Sequence, residues 1–219
     1  METMSRSRVW LRMRLAAARL LNDCSGIAAT EFAVIVPIML VIFFGTVEIS
    51  SGVAVDRKVT LVARTLADVT SQAPPPTQSQ SWSTVDDTYL QNVFTATIAI
   101  LQPYAASPVK LTLSEIYVDS TGKVATIQWS KAATIASGAT QATLVASSRN
   151  LGDDVTSIVP PALLVKQTYL IFSEVSYLYT PAIGYVMAKA GVTLHDFTYT
   201  RPRQSLCVTY PAPGLCPTF

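Results

Sequence analysis

A single carboxylate, Glu31, stands at the start of a long apolar run. Residues 32–47, FAVIVPIMLVIFFGTV, contain no charged side chain. A charge inside such a segment is costly when the segment lies in lipid, so intramembrane carboxylates are rare and usually functional. Gly26 lies five positions before Glu31. We therefore take Glu31 as the first candidate for a functional residue. The alternative is a carboxylate near the membrane surface whose side chain reaches water.

The chain offers few of the side chains that catalysis needs. His195 is the only histidine, and its neighbour Asp196 would point to the opposite face of a strand. The sequence has no Walker phosphate loop and no H-E-x-x-H, C-x-x-C or G-x-S-x-G pattern. We therefore predict no enzyme, no metal site and no cofactor, and we interpret His195 as a surface or hydrogen-bonded residue. Arg201 and Arg203 could bind an anion, but the favoured prediction is that they pair with Glu174 or Asp196.

Three cysteines divide between two regions of the chain. Cys24 precedes the apolar run, whereas Cys207 and Cys216 lie near the C-terminal end. The eight residues between this pair, VTYPAPGL, contain proline and glycine and favour a turn. We predict a Cys207–Cys216 disulfide, which would contribute on the order of 2–3 kcal/mol by the loop-entropy model. Two unrelated free thiols are the alternative.

The apolar run predicts a membrane-spanning helix over residues 27–48. Residues 27–47 carry one charge and would form a helix of roughly 31 Å, enough for a hydrocarbon core of ~30 Å. Residues 1–26 hold five arginines and two acidic residues. The positive-inside rule places this basic leader in the cytoplasm and the rest of the chain outside it.

The charge of the chain resides largely in this leader. The whole sequence has 16 basic and 14 acidic residues, and the part after residue 26 has 11 basic and 12 acidic residues, a net of −1. This balance gives no indication of a nucleic-acid surface. A cleaved secretory signal would have a shorter apolar core followed by a small-residue cleavage site, so it fits poorly. An uncleaved signal anchor is the stronger alternative and predicts the same topology.

Beyond the apolar run, the pattern predicts four segments. Residues 49–70 extend the helix, because apolar side chains recur at spacings of three and four. Residues 71–83 form a linker rich in Pro, Ser and Gln, and residues 84–219 form a domain outside the cytoplasm. The apolar stripe of the helix extension consists of Val55, Val59, Val62, Leu66 and Val69.

The domain is predicted to be α+β, with helices packed on an antiparallel sheet. A helix over residues 84–101 would be capped by Ser83 or Thr84 and would bury one face formed by Leu90, Val93, Phe94, Thr97 and Leu101. Residues 109–118 and 123–130 flank the turn sequence DSTG and predict a hairpin. Further strands are expected at 165–179, 193–200 and 205–210, and short helices are possible at 139–147.

The stretch Gly26-Ile27-Ala28-Ala29-Thr30-Glu31-Phe32 resembles the processing site of type IV prepilins. Residues 26–48 are most similar to the TadE/TadG-like pseudopilins of tight-adherence (Flp, type IVc) pilus systems. Two later patches also resemble this family, EVSYLYTP at 174–181 and YTRPR at 199–203. The resemblance covers the N-terminal third closely and leaves residues 71–160 without a counterpart.

This resemblance implies a role and a set of partners. A prepilin peptidase would cut between Gly26 and Ile27, and Glu31 with Phe32 would act in assembly, Glu31 by neutralising the new amine of a neighbouring subunit. The chain would be a minor pseudopilin of the bacterial inner membrane. Its partners would be the major pilin, other pseudopilins, the inner-membrane pilus platform and membrane lipid, with no nucleic acid or small-molecule substrate. The alternative function is an uncleaved, signal-anchored periplasmic binding or sensory domain.

Overall fold

A computed structural model describes residue 14, residues 26–77, 80–181 and 190–211, and residue 216. Apart from Arg14 and Gly26, the predicted leader lies outside the described residues, as do residues 212–215 of the turn between the paired cysteines. The chain divides into two compact units, residues 1–47 and residues 48–219.

Helix α1 runs from Ile27 to Ser71, 45 residues that include Pro37. Its first part is apolar enough and long enough to cross a membrane, by length and composition. In residues 27–47 most large apolar side chains are exposed, including Phe32, Ile38 and Phe43. An apolar surface of this kind is typical of a helix surrounded by lipid.

The second part of α1 presents one apolar stripe to the domain core, as the spacing predicted. The four residues fully buried on it are Val55, Val59, Val62 and Leu66. Val69, predicted to extend the stripe, is 39% exposed instead. The last turn buries polar side chains in place of apolar ones, because Thr70 and Ser71 are fully buried, and Asp68 and Ser71 take part in polar contacts there.

Helix α2 runs from Asp87 to Leu101 and buries the predicted face. The predicted cap was wrong, because the N-cap residue is Asp86, whose carboxylate accepts a 2.7 Å bond from the Tyr89 amide. Thr84 belongs instead to a short strand, β1, at Trp82–Thr84. The Asp86 carboxylate satisfies a free amide of the first helical turn. Thr84 cannot do this, because it lies in strand β1.

The main sheet has five antiparallel strands in the order β4-β3-β2-β5-β6. The predicted hairpin is confirmed, with β2 and β3 joined through the 119–122 turn. Thr143–Val145 pairs with β3 as a strand, so the short helices considered for 139–147 were wrong. The strand bounds are β2 Val109–Val118, β3 Ala125–Thr134, β4 Thr143–Val145, β5 Thr168–Tyr179 and β6 Val192–Thr200.

Each face of the main sheet has its own apolar cluster. One cluster contains the buried stripes of α1 and α2 together with Leu111, Leu113 and Val175. The other lies at one end of the opposite face, where Val155 and Val159 of the connecting segment cover Ile127 and Phe172. A short 3₁₀ helix, Pro161–Leu163, completes that connecting segment. The α+β architecture expected from the sequence is the one observed.

The C-terminal strand β7, Cys207–Thr209, lies outside the main sheet and pairs in parallel with β1. All three of its residues are buried. Cys207 forms a disulfide with Cys216. The hydrogen bonds that fix β7 to the β1 segment include Val85 N to Thr209 O at 3.0 Å and Leu206 N to Ser81 O at 2.7 Å.

Candidate assembly site on the apolar helix

Gly26 and Glu31 lie at the beginning of α1, where the described chain makes few contacts with them. A Cβ atom built on Gly26 would meet nothing within 4 Å, so packing within the chain does not require glycine here. Glu31 is exposed, and among the described residues it has no hydrogen bond or ion pair. Contacts among the described residues therefore do not account for either residue type.

The surroundings of Glu31 make an isolated charge costly. Phe32 is 68% exposed beside it, and Val34 and Ile35 continue the exposed apolar surface. The Thr30 hydroxyl donates to the Ile27 carbonyl at 2.8 Å, so it is already engaged along the helix. In lipid, a carboxylate on this surface gains most from a cationic partner on another chain or from contact with water.

Residues 26–68 match the model of a protein family described as TadE-like protein. The chain carries a TadE-like segment. The matched region begins at Gly26 and covers α1 as far as Asp68, so it includes both the candidate residues and the helix stripe buried in the domain. No curated protein and no solved structure matches the chain. The apolar helix of this segment is compatible with a single-pass membrane anchor.

Glu48 lies at the other end of the TadE-like apolar run and belongs to the domain unit. Its side chain is buried, with 2% of its surface exposed. Burial raises the pKa of Tyr179, and the charge of Glu48 raises that pKa further, which places the carboxylate close to this end of β5. Gly52, one turn along α1, lies under the Tyr179 ring, with 3.6 Å from its Cβ position to Cε1.

The arginine pairs differ from those predicted. Glu174 binds Arg149 in a two-pronged contact, with both nitrogen–oxygen distances at 2.5 Å. Arg203 pairs with Asp68 at 2.7 Å and so connects the segment after β6 to α1. Arg149 was missed because it lies in a segment of weak periodicity, where the sequence gives no indication of which strand it meets.

The single histidine has an exposed side chain that, among the described residues, contacts only an aromatic ring. His195 is exposed on β6 and lies next to the ring of Phe197, at 6.3 Å between centroids. Within the described ranges, no three His, Cys, Asp or Glu side chains come together as metal ligands. Nothing in the described residues gives positive support for catalysis.

Sequence reasoning missed one buried acid, Glu115 of β2. It is 2% exposed and accepts a 2.5 Å hydrogen bond from the Val208 amide of β7. The sequence pattern does indicate that Glu115 is buried, because Glu115 continues the alternation of Val109, Leu111 and Leu113, whose side chains face the core. A glutamate in phase with buried residues predicts a buried carboxyl with a specific polar partner.

Proposed function

We propose that this chain is a minor pseudopilin-like subunit for the assembly or secretion of Flp (Tad) adhesive pili. In this proposal a prepilin peptidase cuts after Gly26. The observation that carries the proposal is Glu31, an exposed carboxylate in the TadE-like apolar helix without a partner among the described residues. Gly26 lies at the matching distance, in a place where the described chain would tolerate a side chain.

The proposed chemistry links the two positions. Cleavage of the Gly26–Ile27 bond would give Ile27 a positive amine, and Glu31 of a neighbouring subunit would give it a negative partner. Either charge alone is unfavourable in lipid, and pairing offsets part of that cost. Ile27 and Glu31 are separated by about 6 Å along the helix axis, so pairing would favour one axial offset between neighbouring helices. Phe32, exposed beside Glu31, would pack in the same contact.

The topology and the partners belong to the same proposal. The basic leader stays in the cytoplasm, residues 27–48 cross the inner membrane, and the domain lies in the periplasm, with residues 49–70 joining the two and residues 71–83 linking to residues 84–219. The partners are the prepilin peptidase, the major pilin, related pseudopilins and the membrane platform. The domain is then the part available for contacts outside the membrane.

The assembly role is tested by counting pili on cells that carry Glu31→Ala in place of the wild-type chain. We expect few or no pili, because the neighbouring subunit that pairs with this chain would lose the counter-charge for its amine, so that assembly would not start. Thr46→Ala is the matched control, since Thr46 is another polar side chain of the same helix whose hydroxyl bonds only along the helix, to the Ile42 carbonyl. Membrane levels of each variant are measured by immunoblot. Equal pilus numbers at equal protein levels would rule out the role given to Glu31.

A further inference from the structure

The C-terminal strand β7 is attached to the main sheet by two side chains that bind the same residue. The Glu115 carboxyl oxygen accepts from the Val208 amide, and the Trp129 indole N–H donates to the Val208 carbonyl. Glu115 and Trp129 are direct cross-strand partners on β2 and β3, next to a β-bulge between Glu115 and Ile116. The sheet thus presents one acceptor and one donor, side by side, to a single residue of β7.

We propose that Glu115 and Trp129 form a protonation-dependent latch that holds strand β7, and that loss of the Glu115 proton favours release of this strand. The proton passes to solvent, and no other bond is made or broken. Release would free the edge of β1 and uncover the Trp129 indole. It would give the domain a surface whose exposure depends on pH.

The geometry explains why ionisation is unfavourable in the closed form. Glu115 is 2% exposed, and burial raises its pKa from 4.5 to about 8, against the opposing effect of the hydrogen bonds from Val208 and Trp129. Within the described ranges, no cationic side chain contributes to the pKa of Glu115. When β7 leaves, water reaches the carboxyl and the ordinary pKa returns.

The titratable neighbours described on the other elements do not offset the negative charge of an ionised Glu115. Tyr169 of β5 faces Glu115, and its own pKa is raised by burial and then by the Glu115 charge. Lys131 of β3 bonds to Asp87 of α2 at 3.2 Å and lies over the Tyr210 ring, just beyond β7. The Tyr210 hydroxyl also donates to Asp87, so these groups form a second attachment that does not include Glu115.

The sign of the pH effect follows from the two pKa values. At pH values between 4.5 and about 8, Glu115 has lost its proton in the open form and keeps it in the closed form. The equilibrium constant for opening therefore rises about tenfold per pH unit in this range. Above the closed-form pKa of about 8 both forms are ionised and the constant becomes independent of pH. At pH values below 4.5 both forms are protonated and the latch is at its strongest.

Amide hydrogen exchange of the full-length chain in detergent micelles tests the latch. The opening constant of the Val208 amide is measured from pH 5 to pH 9, after correction for intrinsic exchange rates. We expect the wild type to show the tenfold-per-unit rise and the plateau, and Glu115→Gln to show no pH dependence. Glu174→Gln, which neutralises another strand carboxylate, is the matched control and should keep the wild-type slope.

Two further measurements distinguish release of β7 from opening of the whole domain. Trp129→Phe retains Glu115 but removes the donor to Val208, so it should raise Val208 exchange at every pH while leaving a slope. The amide of Val175, in the centre of β5, reports opening of the whole domain. A flat wild-type profile, a slope that persists in Glu115→Gln, or an equal slope at Val175 would each overturn the latch.

Discussion

At the residue scale, the chain uses two glutamates in opposite environments. Glu31 is exposed on an apolar helix with no described partner, whereas Glu115 is buried and bonded to the backbone of another strand. The first has no side-chain partner among the described residues, and the second is satisfied within the domain. Glu31 stands out in the sequence because it is a charge next to a long apolar run. Glu115 does not stand out, because a single acidic residue in a strand is common.

A third carboxylate, Asp119, orders the turn of the β2–β3 hairpin. It accepts hydrogen bonds from the Thr121 hydroxyl at 2.6 Å and from the amides of Lys123 and Val124. The hydroxyl of Thr121 and these amides lower the pKa of Asp119 to about 2. Because the folded pKa lies below the ordinary value of 3.8, the turn is stabilised above that value, and this contribution is lost as pH falls toward 2.

Replacing Thr121 with valine should therefore raise the pKa of Asp119. Thr121→Val keeps the shape of the side chain and removes its main hydrogen-bond donor to the carboxylate. The measurement is the carboxyl carbon NMR titration of Asp119 between pH 1.5 and pH 6. Ser120→Ala, at an exposed neighbour without a hydrogen bond to Asp119, should leave the midpoint unchanged. An unchanged midpoint in Thr121→Val would show that the backbone amides alone set this pKa.

At the element scale, the second part of α1 provides the C-terminal cation that α2 lacks. Helix α2 has no basic residue in its last turn. The Lys58 ammonium of α1 donates to the carbonyls of Ile100 and Gln102, at 2.7 and 2.6 Å. It satisfies carbonyls that the helix end leaves free and interacts favourably with the negative end of the helix dipole.

Removing this cation should loosen the contact between the two helices. We expect Lys58→Met to lower the free energy of unfolding of the domain by about 1–2 kcal/mol, since charged hydrogen bonds are lost while the apolar stem remains. Arg57→Met is the control, because Arg57 is exposed one residue earlier and should change stability by less than about 0.5 kcal/mol. Urea denaturation followed by tryptophan fluorescence gives both values. Equal changes in the free energy of unfolding for Lys58→Met and Arg57→Met would contradict the role given to Lys58.

Elements governed by local pattern were predictable, and those governed by distant contacts were not. The extent of α1, the buried face of α2 and the β2–β3 hairpin follow from spacing and turn residues, and all three are observed. The parallel β1–β7 pair joins residues 82–84 to 207–209, and nothing local marks such short strands as partners. The Arg149–Glu174 pair and the attachment of Val208 to Glu115 depend on the same long-range arrangement.

At the scale of the whole molecule, two units have different chemistry. Residues 27–47 form an apolar helix with its large side chains exposed, and residues 48–219 form an α+β domain with its own core. The TadE-like match covers the first unit from Gly26 and extends into the second as far as Asp68. The proposed relation to pili therefore rests on helix α1.

Prepilin-type processing at Gly26 is the step on which the proposed function depends. It is tested by the N-terminal sequence of the membrane-bound protein isolated from its native host. We expect a chain that begins at Ile27, and an uncut chain in cells carrying Gly26→Val. An intact leader in the wild-type protein would contradict it and would favour the signal-anchored periplasmic binding or sensory domain instead.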